Sequence, residues 1–211
     1  AKQSIANAVQ ALVKPGEEVI LLSPYWVSYS AIVLMADGIP KIIESDISTN
    51  FKVSAEQIEK EISNKTKMVI INSPNNPSGS VYTKEELERI AAVLKKYSGI
   101  FILSDEIYEH INYGVEHFSF ARIDGMYDRT ITVNGVAKAF AMTGWRIGYL
   151  GAPEWIAKAC TKLQGQVTSG ANCIAQKATI IALNEPVEKI KYMVKEFEER
   201  KKLIIKLLNE I

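Results

Sequence analysis

The stretch Thr130–Tyr149, TITVNGVAKAFAMTGWRIGY, combines a strand pattern with a loop that carries chemically active side chains. The run Thr130–Val133 has the length and the branched apolar composition of a strand that is buried on both faces, as in a parallel sheet. Lys138 follows in the loop, and Arg146 comes eight residues later. The stretch therefore predicts a buried parallel strand with functional groups just beyond its carboxyl end.

Further apolar runs repeat this pattern along the chain, at Val19–Ser23, Met68–Asn72, Ile100–Ser104 and Ile147–Leu150. The segments between the runs have helical patterns. Ser54–Gln57 and Thr83–Glu86 are capping-box sequences, and apolar residues follow them at helical spacing. Alternating strands and helices predict an α/β fold with three α/β/α layers and a mostly parallel sheet. The pattern of residues 186–211 predicts one long, charged amphipathic helix.

The overall composition is that of an ordinary globular protein, with 47% hydrophobic and 23% charged residues and a net charge of +1. The balanced charge favours neither nucleic acid nor an anionic membrane as a partner, and no apolar run is long enough to span a bilayer. Cys160 and Cys173 are too few for a disulfide framework, so we expect buried thiols in a reducing cytoplasm. His110 and His117 have no cysteine near them in the sequence, so no metal site is expected.

Polar and aromatic side chains follow the predicted strands, at the edge where an open α/β sheet binds its ligands. The set consists of Trp26, Asn76, Asp105, Tyr108, Lys138 and Arg146. A lysine amine can form an imine with an aldehyde, an aspartate can hold a ring nitrogen protonated, and an arginine fork matches a phosphate. Tyrosine and asparagine can hydrogen-bond a phenolate oxygen, and tryptophan offers a flat face for stacking. Pyridoxal 5'-phosphate presents all of these partners, so the sequence predicts it as the cofactor.

Three motifs resemble the fold-type I, pyridoxal-phosphate-dependent aminotransferases of class I and II, and most closely the bacterial aspartate aminotransferases. They are Asn72–Gly79 (NSPNNPSG), Ser104–Tyr108 (SDEIY) and Val133–Tyr149 (VNGVAKAFAMTGWRIGY). The resemblance extends over essentially the whole chain in order and spacing. It implies that residues 1–185 form the large, cofactor-binding domain and that residues 186–211 lead towards a small domain. It also implies that the N-terminal arm and most of the C-terminal small domain of the family lie outside this sequence.

The resemblance implies a role for each candidate residue. Lys138 resembles the lysine that forms the Schiff base with the cofactor and shuttles the proton, and Asp105 resembles the partner of the ring nitrogen. The other positions resemble cofactor contacts: Tyr108 and Asn76 at the ring hydroxyl, Arg146 at the phosphate, Trp26 stacked on the ring, and Ala1 and Lys2 in the phosphate-binding turn. Ala137 departs from the serine that many relatives have before the lysine, which removes one phosphate donor.

The implied activity is transamination between an amino acid, with aspartate as the first candidate, and a 2-oxo acid such as 2-oxoglutarate, in a cytoplasmic homodimer. The family's substrate-carboxylate arginine has no match in this sequence, so we expect cofactor binding with little turnover by this chain alone. Two alternatives stay open at this stage. One is another reaction on the same scaffold, by a prephenate-type aminotransferase or a carbon–sulfur lyase. The other is a non-catalytic cofactor-binding module.

Overall fold

The structure, a computed structural model, describes every residue from Ala1 to Ile211 and is organised around one six-stranded sheet. The strands are β1 (Glu18–Leu22), β2 (Ile39–Ile43), β3 (Thr66–Asn72), β4 (Phe101–Asp105), β5 (Thr130–Asn134) and β6 (Tyr149–Gly151). Their order across the sheet is β2-β1-β3-β4-β5-β6. Strands β1 to β5 run parallel, and β6 pairs antiparallel with β5 at one edge. The prediction of a mostly parallel sheet is therefore confirmed.

The α-helices are α1 (Lys2–Leu12), α2 (Ser28–Met35), α3 (Ala55–Glu61), α4 (Lys84–Lys95), α5 (Glu154–Val167), α6 (Cys173–Asn184) and α7 (Lys191–Leu208). Short 3-10 helices lie at Ile47–Thr49, Phe120–Arg122, Tyr127–Arg129, Thr143–Trp145 and Val187–Ile190. Both predicted capping boxes are present, at Ser54 before α3 and at Thr83 before α4. Each capping box provides hydrogen-bond acceptors for two backbone N–H groups at the start of its helix. These helices therefore begin where the sequence predicts.

Two hydrophobic cores lie on opposite faces of the sheet. Along β1, Val19 and Leu21 pack into a core with α1, α2 and α5, whereas Ile20 and Leu22 pack into a core with α3 and α4. Full burial of such an aliphatic side chain contributes roughly 1.5–3 kcal/mol relative to exposure. The alternation along one strand shows that helices cover both faces, which confirms the three-layer arrangement.

The two edges of the sheet differ from the prediction. Edge strand β2 is missing from the predicted set because Ile39 and Ile42 are exposed and Pro40 interrupts the run, so no continuous apolar stretch signals a strand. At the other edge, the strand predicted at Ile147–Leu150 begins two residues later and is antiparallel. Arg146 has a left-handed backbone with a φ of 58°, which turns the chain before this strand.

The C-terminal region also differs from the prediction. Residues 186–211 are not one helix, because a 3-10 helix at Val187–Ile190 precedes α7, and α7 contains no buried residue. Cys160 is buried as expected, but the expectation for Cys173 is wrong: it is exposed at the start of α6, where Ala175 and Thr179 are the buried residues. The predicted division after residue 185 stays a prediction. None of the helices combines the length and the apolar character that a membrane span requires.

Candidate active site

A cavity of about 740 Å³ opens at the carboxyl ends of the central strands. Its lining includes every residue singled out from the sequence: Ala1, Lys2, Trp26, Asn76, Asp105, Tyr108, Lys138 and Arg146. The volume lies within the range of about 300–1,000 Å³ that is typical of small-molecule sites. A second cleft, of about 700 Å³, lies at the amino ends of the strands and contains none of these residues. The candidate residues are therefore gathered at one edge of the sheet.

Asp105 is the last residue of β4 and the only acidic residue that lines the cavity, and 3% of its surface is exposed. Its Oδ2 atom accepts a hydrogen bond of 2.6 Å from the Tyr29 hydroxyl, and its Oδ1 atom accepts one of 3.3 Å from the Ile107 amide. Burial raises the pKa of Asp105, while these two hydrogen bonds act in the opposite direction because they favour the carboxylate. A desolvated carboxylate of this kind favours a cationic partner in the cavity.

A chain of hydrogen bonds connects the ends of β3 and β4. The side chain of Asn72 donates to the backbone carbonyl of Asp105 at 2.9 Å and accepts from the backbone amide of Asn76 at 2.7 Å. The side-chain amide of Asn76 in turn donates to the Tyr108 hydroxyl at 3.4 Å. The Lys138 ammonium lies 5.6 Å from the centre of the Tyr108 ring. An amide, a hydroxyl and a primary amine are thus held close together beside the buried carboxylate.

The first turn of α1 supplies backbone N–H groups to the cavity. The capping residue Ala1 makes no side-chain hydrogen bond to this helix, and the first turn contains no acidic residue. The first backbone N–H groups of α1 are therefore free to donate to a ligand. Free amides at a helix start, together with the helix dipole, favour an anion. Gly148 makes room for this helix end, because a Cβ atom at that position would overlap the backbone nitrogen of Ala1.

Arg146 adds a positive charge beside the same helix end. Its Nη1 atom donates to the Thr143 carbonyl at 2.7 Å, and the residue is exposed, which leaves its other donors available. Burial lowers the pKa of the Ala1 amino group, and the charge of Arg146 lowers it further against the opposing effect of Asp105. Arg146 and the start of α1 line the same cavity, so both are available to one anionic group there.

Trp26 and Lys2 form another part of the cavity wall. The Trp26 ring packs edge-on against Tyr29, with ring centres 5.5 Å apart and an angle of 87° between the rings. The Lys2 ammonium lies 4.8 Å from the centre of the Trp26 ring. One face of this ring is thus in contact with a cation, and the ring as a whole is held by Tyr29.

Other polar residues of the wall escaped the sequence analysis. Tyr29 had a weak signal, since it follows Trp26 by only three residues, at the start of α2. Gln164 and Thr168 come from the end of α5, where no motif marks them. Gln164 reaches the site because it accepts a hydrogen bond of 2.7 Å from the buried Asn7 of α1, a pairing that no local pattern indicates.

Comparison with known proteins identifies the family. The family description "Aminotransferase class I and II" matches residues 1–211. The chain belongs to the class I and II aminotransferases. Among family members, an aspartate/prephenate aminotransferase from Nitrosomonas europaea is 47% identical over 212 residues, which cover 100% of this chain and 53% of that protein.

Two solved structures of aminotransferases share the fold. The crystal structure of the aspartate aminotransferase from Rhizobium meliloti has a TM-score of 0.97 at 42% identity, over 100% of this chain and 53% of that one. An aromatic aminotransferase from Pyrococcus horikoshii has a TM-score of 0.95 at 39% identity, over 99% of this chain and 57% of that one. The chain spans about half the length of the relatives it matches. The family and the fold inferred from the three motifs are confirmed.

Membership of the class I and II aminotransferases implies pyridoxal phosphate as the cofactor, and the donors of the cavity fit this molecule. The cavity offers a lysine amine, a buried carboxylate, an amide–hydroxyl pair, and a helix start with free N–H groups beside an arginine. These match an aldehyde, a ring nitrogen, a ring hydroxyl and a phosphate, respectively. Gly148 has no side chain and so allows the start of α1 to approach the cavity closely. Ala137 lines the cavity but contributes no side-chain donor.

Glu106, Glu109 and His117 form a cluster beside the site, with candidate ligand atoms within 4.8 Å of one another. The Glu106 carboxylate is buried and already engaged. Its Oε1 atom accepts hydrogen bonds of 2.9 Å from the hydroxyls of Ser104 and Ser119, and its Oε2 atom lies 3.1 Å from Nε2 of His117. The cluster therefore fastens the loop after β4 to the sheet, and this loop carries Tyr108.

Proposed function

We propose that the chain forms the pyridoxal-phosphate-binding part of an aminotransferase. The substrates that we assign are an amino acid, with aspartate as the first candidate, and a 2-oxo acid such as 2-oxoglutarate. The observation that carries this proposal is the convergence of a lysine amine, a buried carboxylate and an anion-binding helix start in one cavity. Membership of the family supports the same assignment.

Lys138 and Asp105 are the residues that we assign to the reacting atoms. When bound, the cofactor supplies an aldehyde that takes up the amino group and a ring that accommodates negative charge from the substrate carbon. Lys138 would hold the cofactor through its aldehyde carbon, and its side-chain amine would move the proton at the substrate α-carbon. Asp105 would keep the ring nitrogen protonated, because a buried carboxylate beside a pyridine favours the protonated ring.

Three side chains orient the ring. Tyr108 and Asn76 lie within 3.4 Å of each other, so both can hydrogen-bond one ring hydroxyl and stabilise its anionic form. Trp26 would stack on one face of the ring, and the edge-on contact with Tyr29 holds the Trp26 side chain in position. Ordering the ring in this way restricts it to the geometry in which Lys138 can reach the reacting carbon.

The phosphate is assigned to the start of α1. Ala1 and Lys2 contribute backbone N–H groups of the first helical turn, and Arg146 contributes a guanidinium group. Each charge-assisted hydrogen bond contributes about 1.5–3 kcal/mol, so this end of the site provides much of the affinity for the cofactor. Ala137 contributes nothing here, because a methyl group cannot donate.

The substrate carboxylate has no arginine of its own in the cavity. Arg146 is the only arginine in the lining, and Arg200 is exposed on α7, where it lies 3.6 Å from Glu196. We therefore propose that this chain by itself binds the cofactor but transfers amino groups slowly. Single-turnover rates with excess aspartate, measured on this chain and on the chain extended at both ends, test this. Equal rates in the two would contradict it.

Prephenate and aromatic amino acids are the alternatives to the aspartate reaction. The names of the Nitrosomonas europaea and Pyrococcus horikoshii relatives motivate them. Initial rates with aspartate or phenylalanine as the amino donor, and with 2-oxoglutarate or prephenate as the acceptor, rank the substrates. Aspartate with 2-oxoglutarate is expected to be the fastest pair, and a faster prephenate reaction would reassign the enzyme.

We also propose that the protein is a cytoplasmic homodimer. Large exposed side chains on α6 and α7, including Ile181, Leu203 and Leu208, support association, because contact with another surface would remove them from water. Two free cysteines agree with a reducing compartment. Sedimentation equilibrium tests the oligomeric state, and a monomer at micromolar concentration would contradict the dimer.

Borohydride reduction tests the cofactor assignment directly. After incubation with pyridoxal phosphate and reduction, peptide mass spectrometry is expected to find a pyridoxyl group on Lys138. The Lys138→Ala variant should lose this label, whereas Lys158→Ala, on the exposed side of α5, should keep it. A label on Lys2 or Lys158 in place of Lys138, or no label at saturating cofactor, would overturn the assignment.

A further inference from the structure

Tyr29 belongs to the site although no motif marks it. It lies on α2, 2% of its surface is exposed, and its hydroxyl donates to Oδ2 of Asp105 at 2.6 Å. The Tyr29 ring is part of the core between α1, α2 and α5, and the Trp26 ring packs against it edge-on. The hydroxyl is therefore fixed by the packing of its own ring and not by the hydrogen bond alone.

This hydrogen bond acts on the protonation state of a buried carboxyl. Burial disfavours the charged form of Asp105, and a hydroxyl that donates to the carboxylate favours it. Tyr29 provides the only side chain that donates to this carboxylate, and the Ile107 amide provides a longer bond of 3.3 Å to the other oxygen. Without Tyr29, the balance at Asp105 moves towards the neutral acid, which cannot pair with a cationic ring nitrogen.

The other charges around Asp105 do not replace this bond. Glu106 raises the pKa of Asp105, and the amino group of Ala1 lowers it, but the latter is a charge only in a chain that begins at this residue. Lys2, Lys138 and Arg146 also line the cavity but make no hydrogen bond to the carboxylate.

Tyr29 itself stays a donor over the working pH range. Burial raises the pKa of its hydroxyl well above the usual value, and the negative charge of Asp105 raises it further. Tyr29 therefore stays protonated, and able to donate, over the pH range in which Asp105 titrates.

We propose that Tyr29 is a positioning residue for the cofactor: its hydroxyl holds the Asp105 carboxylate ionised and in one orientation, ready for the ring nitrogen of pyridoxal phosphate. Tyr29 does not touch the reacting atoms and acts through Asp105. The inference rests on the proposed function, since it assigns the partner of Asp105.

The first measurement is the pKa of Asp105 in the cofactor-free protein. NMR of carbon-13-labelled aspartate monitors this titration. Tyr29→Phe keeps the ring and removes the hydroxyl, and it should raise this pKa by roughly one to two units, since a hydrogen bond to a charged group is at stake. Tyr25→Phe is the matched control, because Tyr25 packs against the same core but makes no hydrogen bond to Asp105. An unchanged pKa in folded Tyr29→Phe would overturn the inference.

The second measurement compares the affinity for pyridoxal phosphate with the affinity for an analogue that lacks the ring nitrogen. Tyr29→Phe should weaken binding of pyridoxal phosphate about ten-fold, the equivalent of one pKa unit. It should leave unchanged the binding of the analogue in which carbon replaces the ring nitrogen. Equal losses for both ligands would mean that Tyr29 only supports the shape of the cavity, and this would also overturn the inference.

Two outcomes separate this inference from the proposed function. If the unmodified protein binds no pyridoxal phosphate, the proposed function fails, and with it the assignment of the ring nitrogen, even if the pKa of Asp105 responds to Tyr29. If pyridoxal phosphate labels Lys138 but Tyr29→Phe changes neither the pKa of Asp105 nor the affinity for pyridoxal phosphate, only the inference fails.

A second variant covers the case in which Tyr29→Phe does not fold. With 3-fluorotyrosine at position 29, the pKa of Asp105 should fall, because the fluorinated hydroxyl is a stronger donor. An unchanged pKa would again refute the inference.

Discussion

The carboxyl edge of the sheet and the C-terminal helices α6 and α7 are built in opposite ways. At the sheet edge, polar groups are buried and bonded to one another, as Asn72 and Asp105 show with 6% and 3% exposure. In α7 no residue is buried, and apolar side chains such as Leu203 and Ile204 are exposed. The carboxyl edge of the sheet buries polar groups, whereas α7 exposes apolar groups to water.

This difference explains how the candidate site is held in shape. The cavity residues sit at the ends of strands whose side chains are buried on both faces, so the sheet holds them before any ligand arrives. The C-terminal helices contribute little to these two cores, and α6 buries only Ala175 and Thr179. Changes at the sheet edge should therefore affect chemistry and stability, while changes on α7 should affect association alone.

The largest effect is expected for Asp105→Asn. The variant is nearly isosteric but cannot hold the ring nitrogen as a cation, so transamination should lose about 3–5 kcal/mol of barrier lowering, or on the order of a thousand-fold in rate. The measurement is turnover at saturating cofactor in the chain extended at both ends. Asp128→Asn, at an exposed position before β5, is the control and should keep full activity. A loss below ten-fold would remove Asp105 from its assigned role.

The second prediction compares the two regions by stability. Ile102→Ala in β4 removes a fully buried side chain and should lower the free energy of unfolding by about 2–5 kcal/mol. Leu203→Ala on α7 removes an exposed side chain and should change it by less than about 0.5 kcal/mol. Urea titration at a protein concentration low enough to dissociate the proposed dimer measures both. Similar losses for the two variants would mean that α7 belongs to the same cooperative core as the sheet.

The third prediction concerns the close approach at Gly148. Gly148→Ala places a methyl group against the backbone nitrogen of Ala1 and should push the start of α1 away from the phosphate position. Overpacking of this kind costs roughly 1–3 kcal/mol, so the dissociation constant for pyridoxal phosphate should rise by about ten-fold or more. Gly165→Ala in α5 has open space around it and is the control. Unchanged affinity in Gly148→Ala would argue against phosphate binding at the start of α1.

The smallest effect is a dependence of stability on pH. Burial raises the pKa of Asp105 in the folded chain above its unfolded value. Between these two pKa values the folded state binds more protons, so stability falls as the pH rises through this window; above the window the destabilisation by Asp105 is constant. Asp105→Asn should remove this contribution and make the cofactor-free chain more stable at neutral pH. Urea unfolding at several pH values from 4 to 7 measures the difference between the two chains, and parallel curves would contradict the raised pKa.

The sequence could predict those strands that are buried on both faces. The runs at Val19–Ser23, Met68–Asn72, Ile100–Ser104 and Thr130–Val133 correspond to β1, β3, β4 and β5, because double burial requires an uninterrupted apolar run. Strand β2 lies at the edge of the sheet, buries only Ile43 and contains a proline, so it leaves no such run. The sequence analysis also missed the exposed position of Cys173, because residue type alone does not tell which side of a helix faces the core.

The sequence by itself determined the α/β fold class, the family and the candidate residues from Ala1 to Arg146, because each of these depends on local pattern or on motifs that lie at strand ends. Only the tertiary structure decided which further side chains complete the site. Tyr29 meets Asp105 across 76 residues of sequence, and Asn7 meets Gln164 across 157. Such contacts depend on how helices pack onto the sheet, and this packing brings together residues whose separation in the chain carries no signal.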